Sequence, residues 1–413
     1  KETPMPEDET NTLSLMDVLQ PEYTANPYPL YHRLREHDPI YWDERAEEWV
    51  LTRHSDVITI LRDPRLTAER FMLDTSWLPR DMEETLGPPI HALTRQMLFR
   101  DPPDHTRLRG LVSKAFAPRV LEAMRPRIQS IVDELLDAVQ DDGGMEVIQA
   151  FAFPLPAIVI AQMLGVPPED RGQFVKWTGD FGMLLSGVNL ELQDVVRALY
   201  GVSEFMDYFR NIIKQRRTAP KDDLMQAMIA AEEQGDRLTE EELLGNCVLL
   251  LAAGHGTTTH LIGNGLLALL RNPDQMQLLK DNPGLIAPAV QELLRYDSPV
   301  QMTSRRAKED ITIGDKRIQA GQAVLMCLGA ANRDPAVFPD PDRLDLRRQD
   351  NRHVAFGYGI HYCLGAPLAR IEGEIAFNTL LRRLPNPRLA TGEPEWAPNL
   401  VFRGLRSLPI EFD

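Results

Sequence analysis

Cys363 stands in the segment AFGYGIHYCLGAPLAR, residues 355–370, where Phe356, Gly357, Gly359, His361, Cys363 and Gly365 form the pattern F-G-x-G-x-H-x-C-x-G. Glycines allow sharp turns and close backbone approach that a Cβ obstructs, so Gly359 and Gly365 read as hinges on either side of the cysteine. Pro367 suits the first turn of a helix, where its missing N–H costs nothing. The cysteine therefore sits just ahead of a helix N-terminus, where unpaired N–H groups and the helix dipole favour a thiolate. A thiolate presented this way can act as a nucleophile, a redox thiol or an iron ligand. The chain has no CxxC or Cys/His cluster of zinc spacing, and no GxGxxG or phosphate-loop pattern.

Three other stretches carry groups that could act together. QELLRY puts Glu292 and Arg295 at i, i+3 on one helical face. DPPDHTRLRG puts His105 and Arg109 four apart, so both can reach one anion. LLLAAGHGTTTH, residues 249–260, joins Ala253, Gly254, His255, Gly256 and Thr257 in a run whose glycines and threonines suit a local kink or bulge. His255 and His260 are five apart, on different sides of a helix, so the spacing argues against a shared metal, and local packing or hydrogen bonding is expected of both.

The elements that must hold these groups are mostly helical. The stretch Thr239-Glu240-Glu241-Glu242 is a capping-box start, and the apolar pattern runs on to Arg271, where Asn272-Pro273 ends it. Such a helix is roughly 45 Å long and must cross the core. A helix is predicted from about Asn26-Pro27, and another over SDVITILRD with Ser55 as N-cap. Short strands are predicted at Ile40-Tyr41-Trp42, Trp49-Val50-Leu51, ITIG, RIQAG and AVLMCL, with a strand pair at the C-terminus. The segment from Pro64 to Phe99 reads as irregular, and residues 1–12 as a flexible lead-in. The fold class is mainly α with small β-sheets (α+β), one large domain over residues 13–413.

Composition sets the outer bounds. The 413 residues are 43% hydrophobic and 26% charged, as in globular proteins with ample core. Three cysteines cannot build a disulfide framework, so a reducing, cytoplasmic setting is expected. A net charge of −16 disfavours nucleic acid and anionic membranes as partners, and no run is apolar enough for a membrane anchor. Cys247 and Cys327 lie in apolar runs and read as packing.

Taken with these motifs, residues 355–370 resemble the haem-binding loop of the cytochrome P450 family. The likeness extends from NPYPLYHRLR near the start to RGLRSLPIEF at the end. It implies the P450 fold, with a long central helix, and haem b (Fe-protoporphyrin IX) whose iron takes Cys363 as proximal thiolate. It implies His105, Arg109, Arg305 and His361 as partners of the haem propionates, and Phe356, Gly359, Gly365, Ala253 and Gly254 as further residues against the haem. Glu292 and Arg295 resemble the family's E-x-x-R element, whose third member would be Arg343. Thr257 falls at the family's threonine on the oxygen side, and Gly256 at the preceding position, which is acidic in the family. That departure leaves three readings: Thr257 with ordered water, aided by His255 or Thr258; a polar group on the substrate; or slow, peroxide-using or otherwise atypical chemistry such as coupling or desaturation.

The resemblance nominates pocket residues by region: Met97, Leu98 and Phe99 from the 71–99 segment; Phe181, Met183, Leu184 and Leu185; Leu251 and Ala252; Val300 and Met302; and Val401 and Phe402. Such a lining suits a hydrophobic small molecule. The expected reaction is insertion of one oxygen atom from O₂, by hydroxylation or epoxidation, in secondary metabolism. A non-catalytic haem sensor is the rival from another class. Nothing in the chain reads as a flavin or nicotinamide site, so electrons would come from a ferredoxin or flavodoxin with its reductase. Residues 101–127 carry six basic side chains (Arg107, Arg109, Lys114, Arg119, Arg125, Arg127) against three acidic ones, a local excess suited to an acidic donor. A monomer is expected.

Overall fold

The computed structural model describes residues 13–69, 80–167, 170–185, 191–221, 223–233, 238–390 and 392–413. The lead-in expected at residues 1–12, and parts of the expected pocket segments, lie outside them.

The central helix runs from Glu240 to Arg271, 32 residues, with Thr239 as N-cap. The capping box forms as the sequence predicts: Thr239 Oγ1 accepts from the Glu242 N–H, and the Glu242 carboxylate accepts from the Thr239 N–H. Asn272 ends the helix ahead of Pro273. Polar residues along it are buried with the apolar ones, among them Asn246, His255, Thr258, Thr259 and Asn264. A helix buried on nearly every side is a core element of a large domain rather than a surface one. The helix runs through the glycine–threonine run without interruption. The hydroxyls of Thr257 and Thr259 donate to the carbonyls of Ala253 and His255 at 2.9 and 3.1 Å, one turn back along the helix.

Other departures have local causes. The segment expected to be irregular contains a helix, Arg80–Thr94, despite Pro88 and Pro89 inside it. Leu86, Ile90 and Leu93, at i, i+4 and i+7, are all buried, so packing of one apolar face outweighs the lost backbone bonds. Ser55 is no cap: its helix spans His54–Arg62, and the His54 N–H donates to Asp334, 280 residues away, at 2.9 Å. A remote carboxylate takes the capping role. The last two strands do not pair with each other. Leu405–Ser407 pairs with Glu395–Trp396, while Pro409–Glu411 lies between Gly144–Glu146 and Arg388–Leu389.

The main sheet has five strands in the order Ile40–Asp43, Glu48–Leu51, Ala323–Cys327, Met302–Ala307, Leu66–Thr67. Its one parallel pairing joins Glu48–Leu51 to Ala323–Cys327. Side chains alternate between its faces. Leu51, Val324 and Met326 join one apolar cluster, and Val50, Leu325 and Cys327 join another with Leu15 and Tyr31. Cys247 packs in the largest cluster, around the central helix. Burial pushes both thiols up to about 12, as befits inert core cysteines. Among the described residues, no helix is long and apolar enough to cross a membrane.

Candidate active site

The cysteine loop is pinned from several directions. Gly357 and Gly359 have φ of +70° and +73°, conformations that an L side chain resists. A Cβ on Gly359 would lie 2.6 Å from the Leu61 carbonyl oxygen, so the loop presses against the end of a neighbouring helix. The Cys363 N–H donates to the Phe356 carbonyl at 2.9 Å, closing the turn. Gly365 then caps the helix Ala366–Arg383, with Pro367 in its first turn. Tyr362, which sequence reasoning passed over, is held at both ends: its carbonyl accepts from Arg109 Nη2 at 2.7 Å, its hydroxyl from Arg370 Nη2 at 2.9 Å. The Arg370 guanidinium also lies 4.9 Å from the centre of the Phe356 ring.

The Cys363 side chain is accessible, yet crowding by protein pushes its thiol above the usual range. Both facts fit a sulfur that opens onto a hollow inside the fold. The N–H groups of Gly365 and Ala366 and the charges of Arg109 and Arg370 act the other way and favour the thiolate. That is the donor chemistry an iron ligand needs.

His105, Arg109, Arg305 and His361 converge beside this loop. The His105 and His361 rings are 4.2 Å apart, centre to centre. Arg109 and Arg305 both lie near enough to His105 to disfavour its charged form, which burial disfavours most. Arg305 is 7% exposed, and burial pulls its guanidinium down to about 10. Its Nη1 donates to the Ser304 carbonyl at 2.7 Å. Among the described residues neither Arg109 nor Arg305 has an ion-paired carboxylate, and His105 Nδ1 is buried without a hydrogen-bond partner. Buried cations are ordinarily paired. A nest of such groups beside an accessible thiol fits a cofactor that carries its own carboxylates, as haem does with its propionates.

On the central helix, Ala253 is exposed although Leu251, Ala252 and His255 are buried. Gly254, Gly256 and Thr257 are half-buried. Ala253 and Thr257 are one turn apart and share the open face. His255 does not. It lies about 200° round the helix from Thr257, its Nδ1 3.4 Å from the Thr178 hydroxyl and its ring edge-on to Phe153 at 4.0 Å. Burial lowers its pKa to about 3, so it stays neutral and faces away from any proton path along Thr257. This agrees with the expected local packing of His255 and disfavours its alternative role as a proton carrier among the catalytic residues.

The Glu–Arg network has a different third member from the one expected. Arg295 Nε and Nη2 grip the Glu292 carboxylate at 2.8 Å each, with both side chains fully buried. The third cation is Arg348, whose Nε donates to both Glu292 oxygens at 3.1 and 3.2 Å. Arg343 is exposed and supplies only its carbonyl, to Arg295 and to Arg348. Asn351 Nδ2 adds a further bond to Glu292 at 3.0 Å. The chain turns between residues 343 and 351, so spacing from a single motif did not show which arginine points inward.

The nominated pocket residues divide. Val300 and Phe402 meet in an isolated β-bridge, and with Leu98, Met183, Leu184, Leu185 and Val401 they are half-buried. Met97, Phe99, Phe181, Leu251 and Ala252 are buried in the main cluster. Met302 is built into the cluster of Leu15, Tyr31 and Val50 beneath the sheet, which makes it core rather than pocket.

The comparisons with known proteins agree with this architecture. The family model described as cytochrome P450 matches residues 49–282 and 285–386. The chain is 44% identical to cytochrome P450 CYP107DY1 of Priestia megaterium, over 96% of this chain and 98% of that one. It is 41% identical to the polyketide biosynthesis cytochrome P450 PksS of Bacillus subtilis, over 94% and 96%. Among solved structures, P450BioI in complex with a hexadec-9Z-enoic acid ligated acyl carrier protein superposes with a TM-score of 0.89 at 41% identity, covering 95% of this chain and all of that one. With its cysteine loop, its buried Glu–Arg pair and its long central helix, this chain belongs to the cytochrome P450 family, an oxidoreductase among monooxygenases.

Proposed function

We propose that the protein binds haem b through Cys363 and inserts one oxygen atom from O₂ into a hydrophobic small molecule, by hydroxylation or epoxidation. The observation that carries this is the accessible Cys363 sulfur near buried Arg305 and half-buried Arg109, neither of them ion-paired among the described residues. Bound haem supplies the oxygen-activating chemistry, with the thiolate donating electron density. The protein's own groups do the rest. Arg109, Arg305, His105 and His361 hold the two propionates. Thr257 offers a hydroxyl on the open face of the central helix, where it can orient water and pass a proton. Leu98, Leu184, Val300 and Phe402 give the substrate an apolar wall. The likeness to a polyketide biosynthesis P450 supports a place in secondary metabolism.

Electrons would come from a ferredoxin or flavodoxin with its reductase, to a monomeric enzyme in the cytoplasm. Of the six basic residues at 101–127, Arg107, Arg125 and Arg127 are ion-paired within the protein and Arg109 turns inward to Tyr362. Lys114 and Arg119 are left exposed for an acidic donor. A hollow of about 200 Å³ lined by Pro118, Arg125, Pro367 and Arg370 lies beside the cysteine loop on this side. Gly256 favours one second reading, a peroxide-using or atypical haem-thiolate enzyme, because no acid stands before Thr257. Product formed per reductant consumed, set against product with hydrogen peroxide alone, separates the two.

The haem assignment is tested by the spectrum of the reduced protein with carbon monoxide. A thiolate-type band is expected, and Cys363→Ala should abolish it. Wild-type protein that purifies without haem when haem is plentiful would overturn the proposal.

A further inference from the structure

Arg403 commits its whole side chain to partners far away in sequence. It is 8% exposed and stands in the loop between the strands Glu395–Trp396 and Leu405–Ser407. Its Nε donates to Asp297 at 2.5 Å, and its Nη1 and Nη2 donate to the carbonyls of Thr24 and Ala25 at 2.9 Å each. Those carbonyls belong to the last residue and the C-cap of the short helix Pro21–Thr24, where C=O groups lack partners within the helix. The guanidinium carbon lies 3.6 Å from the centre of the Trp396 ring, close enough for a cation–π contact. Asp297 also accepts from the Tyr28 hydroxyl, at 2.7 Å.

The main chain of the same residue carries one flank of the pocket wall. The Arg403 N–H donates to the Pro299 carbonyl at 2.8 Å, and its carbonyl accepts from Asn264 Nδ2, on the central helix, at 2.9 Å. Just before it, the Val401 carbonyl accepts from the Gln301 N–H at 2.8 Å. With the Val300–Phe402 bridge, this joins the two wall segments into one unit. Asn399 Oδ1 accepts from the N–H groups of both Val401 and Phe402, at 2.9 and 2.8 Å, and shapes the turn. Packing alone does not fix the ring: Phe402 is half-buried and borders a hollow of about 20 Å³ with Tyr31, Gln301 and Arg403. A ring with free space beside it keeps its place only if its backbone is held.

We propose that Arg403 is a specificity-determining positioning residue, tying the turn at residues 400–403 to the carbonyls of Thr24 and Ala25 and so fixing how far Phe402 enters the pocket. This rests on the reading of Val300 and Phe402 as substrate wall. The guanidinium fork is what such a tether needs. Its three nitrogens reach three oxygens while its face lies on Trp396. An ammonium is a compact donor on a flexible stem and cannot hold the same set in fixed geometry. Arg403 acts on the substrate only through Phe402. Its influence therefore falls on ligands large enough to reach the wall and spares small ones.

The test uses the haem-loaded protein and two ligands whose binding is read from the shift of the haem absorption band. Imidazole is too small to reach the wall; econazole is an imidazole bearing two chlorinated aromatic rings. Phe402→Ala calibrates the wall and should weaken econazole roughly tenfold, as expected for a partly buried aromatic side chain. Arg403→Lys keeps a cation opposite Asp297 but loses the fork. It should weaken econazole about fivefold and leave imidazole within about twofold of wild type, the scale of coupling between neighbouring residues. The double variant should bind econazole no more weakly than Phe402→Ala alone, because both changes act on one ring. A merely structural role lowers the thermal midpoint and leaves the ratio of the two dissociation constants unchanged. If Arg403→Lys fails to fold, Trp396→Leu removes the plate against the guanidinium with the ion pair to Asp297 in place, and should give the same selective loss. An Arg403→Lys protein with the wild-type ratio, or a double variant in which the two losses add, overturns the proposal while the wall stands. Econazole binding indifferent to Phe402→Ala would remove the wall, and a missing thiolate band with carbon monoxide would defeat the haem-thiolate reading; either takes the proposal with it.

Discussion

The cysteine side and the oxygen side of the site are built on opposite terms. Around Cys363, positive-φ glycines, a backbone bond to Phe356 and two arginines on Tyr362 constrain the loop, and the fully buried Glu292–Arg295 pair, joined by Arg348, holds the chain just ahead of it at Asp345 and Asn351. Around Thr257 there is one hydroxyl-to-carbonyl bond, two glycines and an open alanine. The contrast teaches where each side spends its constraints. An iron ligand must be held to a fraction of an ångström, so its support is redundant. Oxygen, water and substrate must enter and leave, so the opposite wall offers few fixed groups.

Removing the buried network should have the largest effect. Glu292→Ala leaves the buried Arg295 and the partly buried Arg348 guanidinium groups without their carboxylate, and stability should fall by about 3–5 kcal/mol. Denaturant unfolding of the haem-loaded protein measures it. A loss below about 1 kcal/mol, the scale of an exposed ion pair, would mean that this side is not held as described.

Acid should weaken both sides together. Burial holds His255, His260 and His353 at pKa values of about 3, 4 and 3, far below the usual range near 6.5. As pH falls below about 6.5 the unfolded chain takes up these protons first, so stability drops. Each histidine costs roughly 1.4 kcal/mol per pH unit. Glu372, raised to about 8, works the other way and cancels one of the three. The net slope should steepen from pH 6.5 and approach about 3 kcal/mol per unit near pH 5, read from unfolding midpoints across that range. Histidine-to-glutamine changes at His255 and His260 that leave the slope unaltered would show these side chains to be solvated.

Gly359→Ala should cost about 1–3 kcal/mol, because it forces a non-glycine residue into a left-handed conformation. It also drives a methyl group into the Leu61 carbonyl. The readout is the thermal midpoint, together with conversion of the thiolate-type carbon monoxide band to a form lacking it. An unchanged midpoint would show that the loop tolerates far more freedom than its geometry implies.

Gly256→Asp probes the sparse side and should perturb stability least, by a few tenths of a kcal/mol. Nothing lies within 4 Å of a Cβ at this position, so the side chain enters open space. With an acid restored beside Thr257, less hydrogen peroxide should be released per reductant consumed. A variant that folds normally and releases as much peroxide as wild type would show that proton supply does not limit this enzyme.

The legible parts of this protein share one property, short range. The capping box at Thr239–Glu242, the hinge-and-helix pattern around Cys363 and the strand runs near Ile40 and Ala323 all specify contacts with close neighbours in sequence. Misreadings arose where the partner is remote. Asp334 caps a helix 280 residues away, Leu86, Ile90 and Leu93 carry a helix through two prolines by packing, and a turn after residue 343 brings in Arg348 rather than Arg343. Met302 looked like pocket lining until the sheet placed it on the inner face.

By itself the sequence determined the family, the cysteine proposed as the iron ligand, the long central helix and the absence of an acid at Gly256, because each is written in residue type at fixed spacing. Only the tertiary structure decided which side chains lose water and which keep a partner. It set the His255 ring against Phe153 as a neutral packing group and brought Glu372 behind Thr258. Burial and pairing set the cost of charge, and both depend on elements that meet only when the whole chain has folded.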